Sequence, residues 1–455
     1  MSELGGASNH CNIPDMINGD STRSHPGNCT EFIVNADEDT ILSPVDGGRQ
    51  AWAFMMGACM IEGLMWGFPL TFGVFRSYYE NNNTFTSNRY LSLVGTLTTA
   101  ISYLGTPLIA LFTIKYPTYQ KYMIWGGWLV CSLALVASSF ATQVWHLIIT
   151  QGFLYGLSFL IIYYPLLNML NGWFIERRGL AYGILFGSAG IWGLGLPFMI
   201  EKMLKQYGYA TTLRAYGVAI FVLVGPTLPL VRGRLMRQID NGIENKIRLG
   251  VFKKPMFFSV TCSNVLQGLV FFLPNIYLPS YASAMGLSSN QGTILLSFLN
   301  ISQIFGQIAM GYLSDHSGAL ALMVGSTICS SITVLCVWYL SRTIASLLIF
   351  CLLYGFFAGG YSVLYCRFVT ALTDMSATGL WLYSTFEFQR GVGNLVGGSV
   401  SSILVEDISS AAKYRNLILF VGIAFLTSSV GGLSCWFSKA HHPRFSRQTQ
   451  RLPEI

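Results

Sequence analysis

Apolar residues along this chain follow neither a helical nor a strand period. They run in blocks of about twenty, parted by short polar breaks, and a helix needs about 20 mostly apolar residues to cross a bilayer. Twelve blocks can be marked: 51–75, 91–113, 122–140, 144–170, 179–200, 213–230, 256–280, 291–313, 319–340, 344–370, 377–404 and 416–438. Six precede and six follow residues 231–255, the most charged stretch of the chain. The pattern predicts an all-α integral membrane protein. Its twelve transmembrane helices would form two six-helix pseudo-symmetric bundles around a midplane site. The implied divisions are a tail over 1–43, an N-terminal bundle over 44–230, a central loop over 231–255, a C-terminal bundle over 256–438 and a tail over 439–455.

Composition agrees. The chain is 52% hydrophobic and only 10% charged, whereas soluble proteins carry about 25% charged residues. The net charge of +7 sits on basic residues scattered between apolar blocks, not on a basic helix interleaved with aromatics, so it does not signal nucleic-acid binding. With the N-terminus placed in the cytoplasm, 17 Lys and Arg fall on the inner side, 8 on the outer side and 2 within spans. That bias puts both termini in the cytoplasm. Residues 1–43 are rich in Asn, Asp, Ser and Gly and read as a disordered cytoplasmic tail without a cleaved signal peptide. Asn82-Asn83-Thr84 is a glycosylation sequon in the first outer loop, which makes Asn82 the candidate acceptor. Eight of the ten cysteines lie in apolar blocks and read as small buried residues, without metal-ligand spacing.

Charges inside spans are costly, about 2.5–3.5 kcal/mol each even on lenient scales, and mark candidate functional positions. Glu62 lies near mid-membrane in the first span, with no basic residue one turn away, and is a candidate proton carrier. Glu387 and Arg390 stand three residues apart at similar depth, so they share a helix face and can neutralise one another. They read either as a proton- or anion-responsive pair facing a central cavity or as a structural ion pair. Arg367, near the inner end of span ten, reads either as an anion site or as a partner of Asp374. Prolines punctuate spans one to seven, and none occurs from residue 280 to 442. Each frees a backbone carbonyl that needs another partner. Gly183 with Gly187, and Gly393 with Gly397, form GxxxG pairs suited to close helix packing.

Three motifs carry a family resemblance. Residues 172–193 read GWFIERRGLAYGILFGSAGIWG, with Arg177 and Arg178 at the water edge of a glycine-rich helix. This is similar to the start of the fifth span in monocarboxylate-porter-type members of the major facilitator superfamily. Asp46-Gly47-Gly48-Arg49-Gln50-Ala51-Trp52 resembles their DGGxGW-type entry sequence, with an insertion around Arg49 and Gln50. Gly311-Tyr312-Leu313-Ser314-Asp315-His316-Ser317-Gly318 resembles the GxLxDrxG loop of the superfamily, whose aspartate ties cytoplasmic helix ends together. Asp315 can do so by accepting helix N-terminal amides or by pairing with a basic side chain. The resemblance covers about residues 44–440 and is nearest to fungal members, several of which accompany secondary-metabolite pathways. It implies a cytoplasmic gate at Arg177, Arg178 and Asp315.

Departures from that family narrow the substrate. Animal lactate-type porters carry a lysine after the Phe-Pro of span one, where this chain has Leu70. Their Asp-x-x-x-Arg pair of span eight is replaced here by Gln303 and Gln307, which hydrogen-bond neutral groups but form no ion pair with a carboxylate. Spans one, four, seven and ten line the cavity in this superfamily. Tyr164 and Tyr361 in spans four and ten are therefore candidate contacts for an aromatic or polyketide-like molecule, with Tyr155, Tyr163, Tyr277, Tyr281, Tyr354 and Tyr365 as further hydroxyls at membrane depth.

The leading reading is a secondary transporter of a small organic molecule, a secondary metabolite or organic acid, working by alternating access and coupled to protons. It would sit in the plasma membrane. Its pathway would include Glu62, Glu387, Arg390, Arg367, Gln303, Gln307, Tyr164 and Tyr361. The alternatives are uptake of small monocarboxylates and a non-transporting nutrient receptor on the same fold. No GxxxxGKS or GxxxxGKT loop is present, which excludes ATP-driven transport. The only histidine near a span, His146, lacks catalytic company, so no enzyme is expected. No cofactor is implied. The expected partners are the lipid bilayer, the substrate and protons.

Overall fold

The structure, a computed structural model, describes residues 45–80, 91–234, 249–253, 255–373, 376–405 and 414–441. The predicted tail 1–43, the sequon at Asn82, Asp374 and most of the central loop lie outside the described residues. The first half holds α1 (Gly48–Glu80), α2 (Leu91–Leu104), α3 (Thr106–Lys115), α4 (Gln120–Ser138), α5 (Val144–Leu147), α6 (Tyr155–Trp173) and α7 (Arg178–Val224). The second holds α8 (Pro255–Val270), α9 (Leu273–Ala284), α10 (Ser289–His316), α11 (Ala319–Ile332), α12 (Ile344–Leu372), α13 (Ser376–Leu404) and α14 (Arg415–His441). Wider π-type turns at Ile148–Leu154 and Thr333–Trp338 continue α5 into α6 and extend α11.

The breaks follow the local chemistry. Gly105 and Pro107 bend α2 from α3 by 43°, because proline removes a donor and crowds the turn before it. At 47 residues, α7 would run about 70 Å if straight, more than twice the hydrocarbon thickness. Gly208 divides it with φ 75° and ψ 173°, a left-handed backbone that favours glycine. Spans five and six are thus two arms of one element. By length and apolarity alone, eight helices among the described residues can cross a membrane, or nine with the bent α2–α3 pair. The difference from the predicted twelve lies in α7, counted once although divided, in α13, whose serines, glycines, amides and two charges lower its hydropathy, and in α14, whose apolar part is Arg415–Gly431.

Two tyrosines reveal the internal repeat. Pro69 in α1 cannot donate to the carbonyl of Met65, and the Tyr155 hydroxyl of α6 donates to that oxygen at 2.6 Å. In the second half, the Tyr354 hydroxyl of α12 donates to the carbonyl of Phe271, at the break between α8 and α9, at 2.9 Å. The same span pair, first with fourth and seventh with tenth, thus repairs its broken ladder the same way in both halves. The halves meet along two seams, α7 against α10 and α2–α3 against α13. On the first seam a Cβ added at Gly183 would lie 2.5 Å from the Gln307 carbonyl oxygen, so only glycine permits this approach. Gly393 packs likewise against Val265 and Leu269 of α8, as the two GxxxG pairs predict.

Candidate functional site

A cavity of about 560 Å³ lies between the halves. α1 contributes Glu62, Trp66 and Leu70; α6 contributes Phe159 and Tyr163; α7 contributes Phe186 and Phe198. From the second half come Phe271, Asn275, Gln303, Gln307, Ser362, Tyr365, Glu387 and Arg390. Leu70, Gln303 and Gln307, the three departures from lactate-type porters, therefore all face one space. At the rim, Glu201 makes an exposed ion pair at 2.5 Å with Lys205, one turn further along the same helix.

Of the two readings of Glu387 and Arg390, the structural ion pair is corrected, and both residues face the cavity. Both side chains are buried and line the space, but no ion pair within 4.0 Å joins them among the described residues. Glu387 Oε1 instead accepts a hydrogen bond from the Tyr383 hydroxyl at 2.9 Å. The Tyr383 hydroxyl also meets that of Tyr163, across the seam between halves, at 3.2 Å. Arg390 Nη1 donates to Ser362 Oγ at 3.0 Å, and its guanidinium carbon lies 4.5 Å from the Phe271 ring centre. Local partners thus take each charge before the two can meet. Glu62 is 2% exposed and has no ion pair among the described residues.

Three other predicted pathway residues lie elsewhere. Tyr164 and Tyr361 are fully buried behind the cavity wall, and their hydroxyls have no hydrogen-bond partner among the described residues. Tyr163, one residue away, and Tyr365, one turn away, face the cavity instead, offsets that apolar blocks without a polar face cannot reveal. Arg367 does not line the cavity, and its Nε lies 3.3 Å from Asp315 Oδ1 at the end of α10.

Asp315 joins three elements. Oδ1 and Oδ2 accept hydrogen bonds from the backbone amides of Gly179 and Leu180, at 2.8 and 2.9 Å. Those amides open α7, where unpaired N–H groups and the helix dipole favour an anion. Both roles expected of this aspartate, amide acceptor and ion-pair partner, are filled together. Arg178 turns back, donating from Nε to the Phe174 carbonyl at 2.8 Å and from Nη2 to that of Asn171 at 3.3 Å. It thereby covers the end of α6. Arg177 has an exposed side chain and contributes its backbone amide, held by Asp46 Oδ1 at 3.0 Å.

Asp46 carries a role that the sequence reading missed. Its carboxylate accepts from the amides of Ile175, Glu176 and Arg177 at 2.8 to 3.0 Å, and its own amide donates to Trp173 O. Six consecutive residues, 175–180, thus give five amides to two aspartates from distant parts of the chain. The Asp-Gly-Gly motif was the available signal, with Asp46 at φ 57° and Gly48 at φ 82°. The cavity reaches from mid-bundle past Leu70, Phe198 and Asn275 toward the face opposite this clasp.

Comparisons with known proteins agree with this architecture. The sequence profile of the Major Facilitator Superfamily matches residues 260–453. The MFS-type transporter pynF of Aspergillus niger is 26% identical, over 88% of this chain and 92% of its own. The MFS transporter asaE of Aspergillus flavus is 24% identical, over 86% and 87%. The aspyridones efflux protein apdF of Emericella nidulans is 26% identical, over 72% and 67%. A bacterial homologue of the iron transporter ferroportin, solved in an outward-facing state, superposes with a TM-score of 0.64 at 16% identity, covering 86% of this chain and all of its own. This chain is a secondary transporter with the major facilitator fold. A transporter needs a site that two halves can open in turn, and the cavity with its clasped face supplies that geometry.

Proposed function

We propose that this transporter exports a bulky, aromatic secondary metabolite across the plasma membrane, coupled to protons, with both termini in the cytoplasm. In this reading it belongs to the monocarboxylate-porter-like branch of the superfamily. The observation that carries the proposal is the cavity lining: nine aromatic residues contribute to it, and Leu70, Gln303 and Gln307 stand where the resemblance places the charges of small-carboxylate porters. A volume of about 560 Å³ suits a drug-sized molecule. Relatives named as efflux proteins for aspyridones and agnestins support the export direction and the substrate class. The buried carboxylates Glu62 and Glu387, from opposite halves, are the proton-carrying candidates, since a neutral carboxyl is the form that a closed apolar site tolerates. Asp315, Arg367, Arg177 and Arg178 would form or border the inner gate, closed in this structure.

Comparing metabolites inside and outside cells with and without the protein tests the proposal. An aromatic metabolite that accumulates several-fold inside the cells lacking it is the expected result. Unchanged internal and external pools would overturn export. For the proton role, Glu62→Gln should reduce transport while leaving surface expression intact. Full activity with an unchanged pH profile would remove Glu62 from the proton pathway.

A further inference from the structure

We propose that Arg390 is the anchor for a planar oxyanion on the substrate, a carboxylate or the enolate of a β-dicarbonyl. The substrate then has one acidic head at Arg390 and an apolar body along Trp66, Phe159 and Phe186. The inference rests on the reading of the cavity as the substrate site.

Arg390 is a cation in a wall that is otherwise apolar, neutral or acidic at this depth, and its side chain is only 4% exposed. Its position is held from several sides. The Phe271 ring lies 4.5 Å from its guanidinium carbon and the Tyr365 ring 5.7 Å away, distances at which a ring face attracts a cation. Ser362 takes one donor. The backbone is fixed as well, because Gly268 of α8 packs so closely that a Cβ there would lie 2.5 Å from the Arg390 carbonyl oxygen. What remains unmet is Nε, which is itself buried and has no hydrogen-bond partner among the described residues.

A guanidinium carries five donors in one plane, and its Nε edge matches two coplanar oxygens. The residue that its spacing offers as a partner, Glu387, is engaged by Tyr383. The other charged group deep in the cavity, Glu62, comes from the opposite half. A buried donor without an acceptor costs free energy until something supplies one. A planar oxyanion stacked beside Phe271 and Tyr365 would do so. Gln303 and Asn275, also in the lining, can then serve neutral polar groups further along the molecule.

The test uses the full chain purified in detergent and two probes of equal shape, 2-naphthoate and 2-naphthamide, titrated by calorimetry. Wild type should bind the acid at least about tenfold more tightly than the amide. Arg390→Gln should abolish that preference by weakening the acid and leaving the amide unchanged. If this variant fails to fold, Arg390→Lys keeps the charge and loses the planar fork, and it should weaken the acid alone. Equal affinity of wild type for both probes, or an acid preference that survives Arg390→Gln, overturns the anchor and leaves the cavity reading standing. Binding of neither probe overturns the cavity reading and the anchor with it. An equal wild-type ratio overturns the anchor without any variant; a preference for the acid is assigned to Arg390 by its loss in Arg390→Gln.

Discussion

Asp315 Oδ1 accepts the backbone amide of Gly179 at 2.8 Å, across the seam between the two halves. One short loop in the second half thereby closes one face of the first. The corresponding loop of the first half, Tyr116 to Tyr119 after Lys115, has no carboxylate. The clasp is therefore built on one seam only.

Asp315→Asn should loosen it. An amide group offers one acceptor where the carboxylate offers two, and it loses the ion pair with Arg367. Hydrogen bonds to a charged group contribute about 1.5–3 kcal/mol, so the population open at this face should rise roughly tenfold or more. The measurement is labelling of a cysteine placed at Ser362, in vesicles of both orientations. Access that stays confined to the opposite face would show that Asp315 does not hold the clasp.

Asp46 should matter for stability more than for the cavity. Asp46→Ala leaves three amides of the 175–177 loop without their acceptor. Loss of such a capping carboxylate costs about 0.5–2 kcal/mol, read as a lower melting temperature in detergent with probe affinity unchanged. Asp46→Asn, which tolerates the left-handed backbone, should fall between the two. A melting temperature equal to wild type in the Ala variant would contradict the assigned role.

At the cavity floor, the prediction concerns transport. Tyr383→Phe removes both the contact to Tyr163 and the hydrogen bond to Glu387. One link between the halves and one hydrogen bond to Glu387 vanish together, so turnover should fall several-fold while the melting temperature moves little. Glu387 would also become free to approach Arg390, and a weaker binding of acidic probes should accompany the lower turnover. Unchanged turnover and unchanged acid binding would make Tyr383 a packing residue.

Packing on the α7–α10 seam allows a contrast between two glycines. Gly183→Ala forces its Cβ against the Gln307 carbonyl, whereas an added Cβ at Gly126 meets nothing within 4 Å. Overpacking costs about 1–3 kcal/mol, so Gly183→Ala should lower both melting temperature and transport. Gly126→Ala should keep transport and gain up to about 1 kcal/mol from helix propensity. Equal behaviour of the two variants would show that the seam has room to spare.

The two carboxylates Asp315 and Asp46 show how differently sequence can speak. The role of Asp315 was legible through the resemblance of Gly311 to Gly318 to the GxLxDrxG motif, whose aspartate ties helix ends together, and the amides of a helix start supply its donors. Asp46 serves amides about 130 residues away, and nothing local to an Asp-Gly-Gly turn names them. Arg367 illustrates the same limit from the other side. Its near neighbour Asp374 offered a local partner, while the structure takes one 52 residues back.

By itself the sequence determined the all-helical membrane fold class and the placing of Glu62, Glu387 and Arg390 within long apolar helices. Lipid leaves a buried backbone no partner but its own helix, so blocks of about twenty apolar residues have one solution. What the tertiary structure alone decided is rotation and partnership: Tyr163 rather than Tyr164 facing the cavity, Glu387 held by Tyr383, and Arg390 left with a buried Nε that has no hydrogen-bond partner among the described residues. A soluble helix advertises its buried face by polar contrast. A helix apolar on every side carries no such mark, so its facing is chosen by the helices that pack against it.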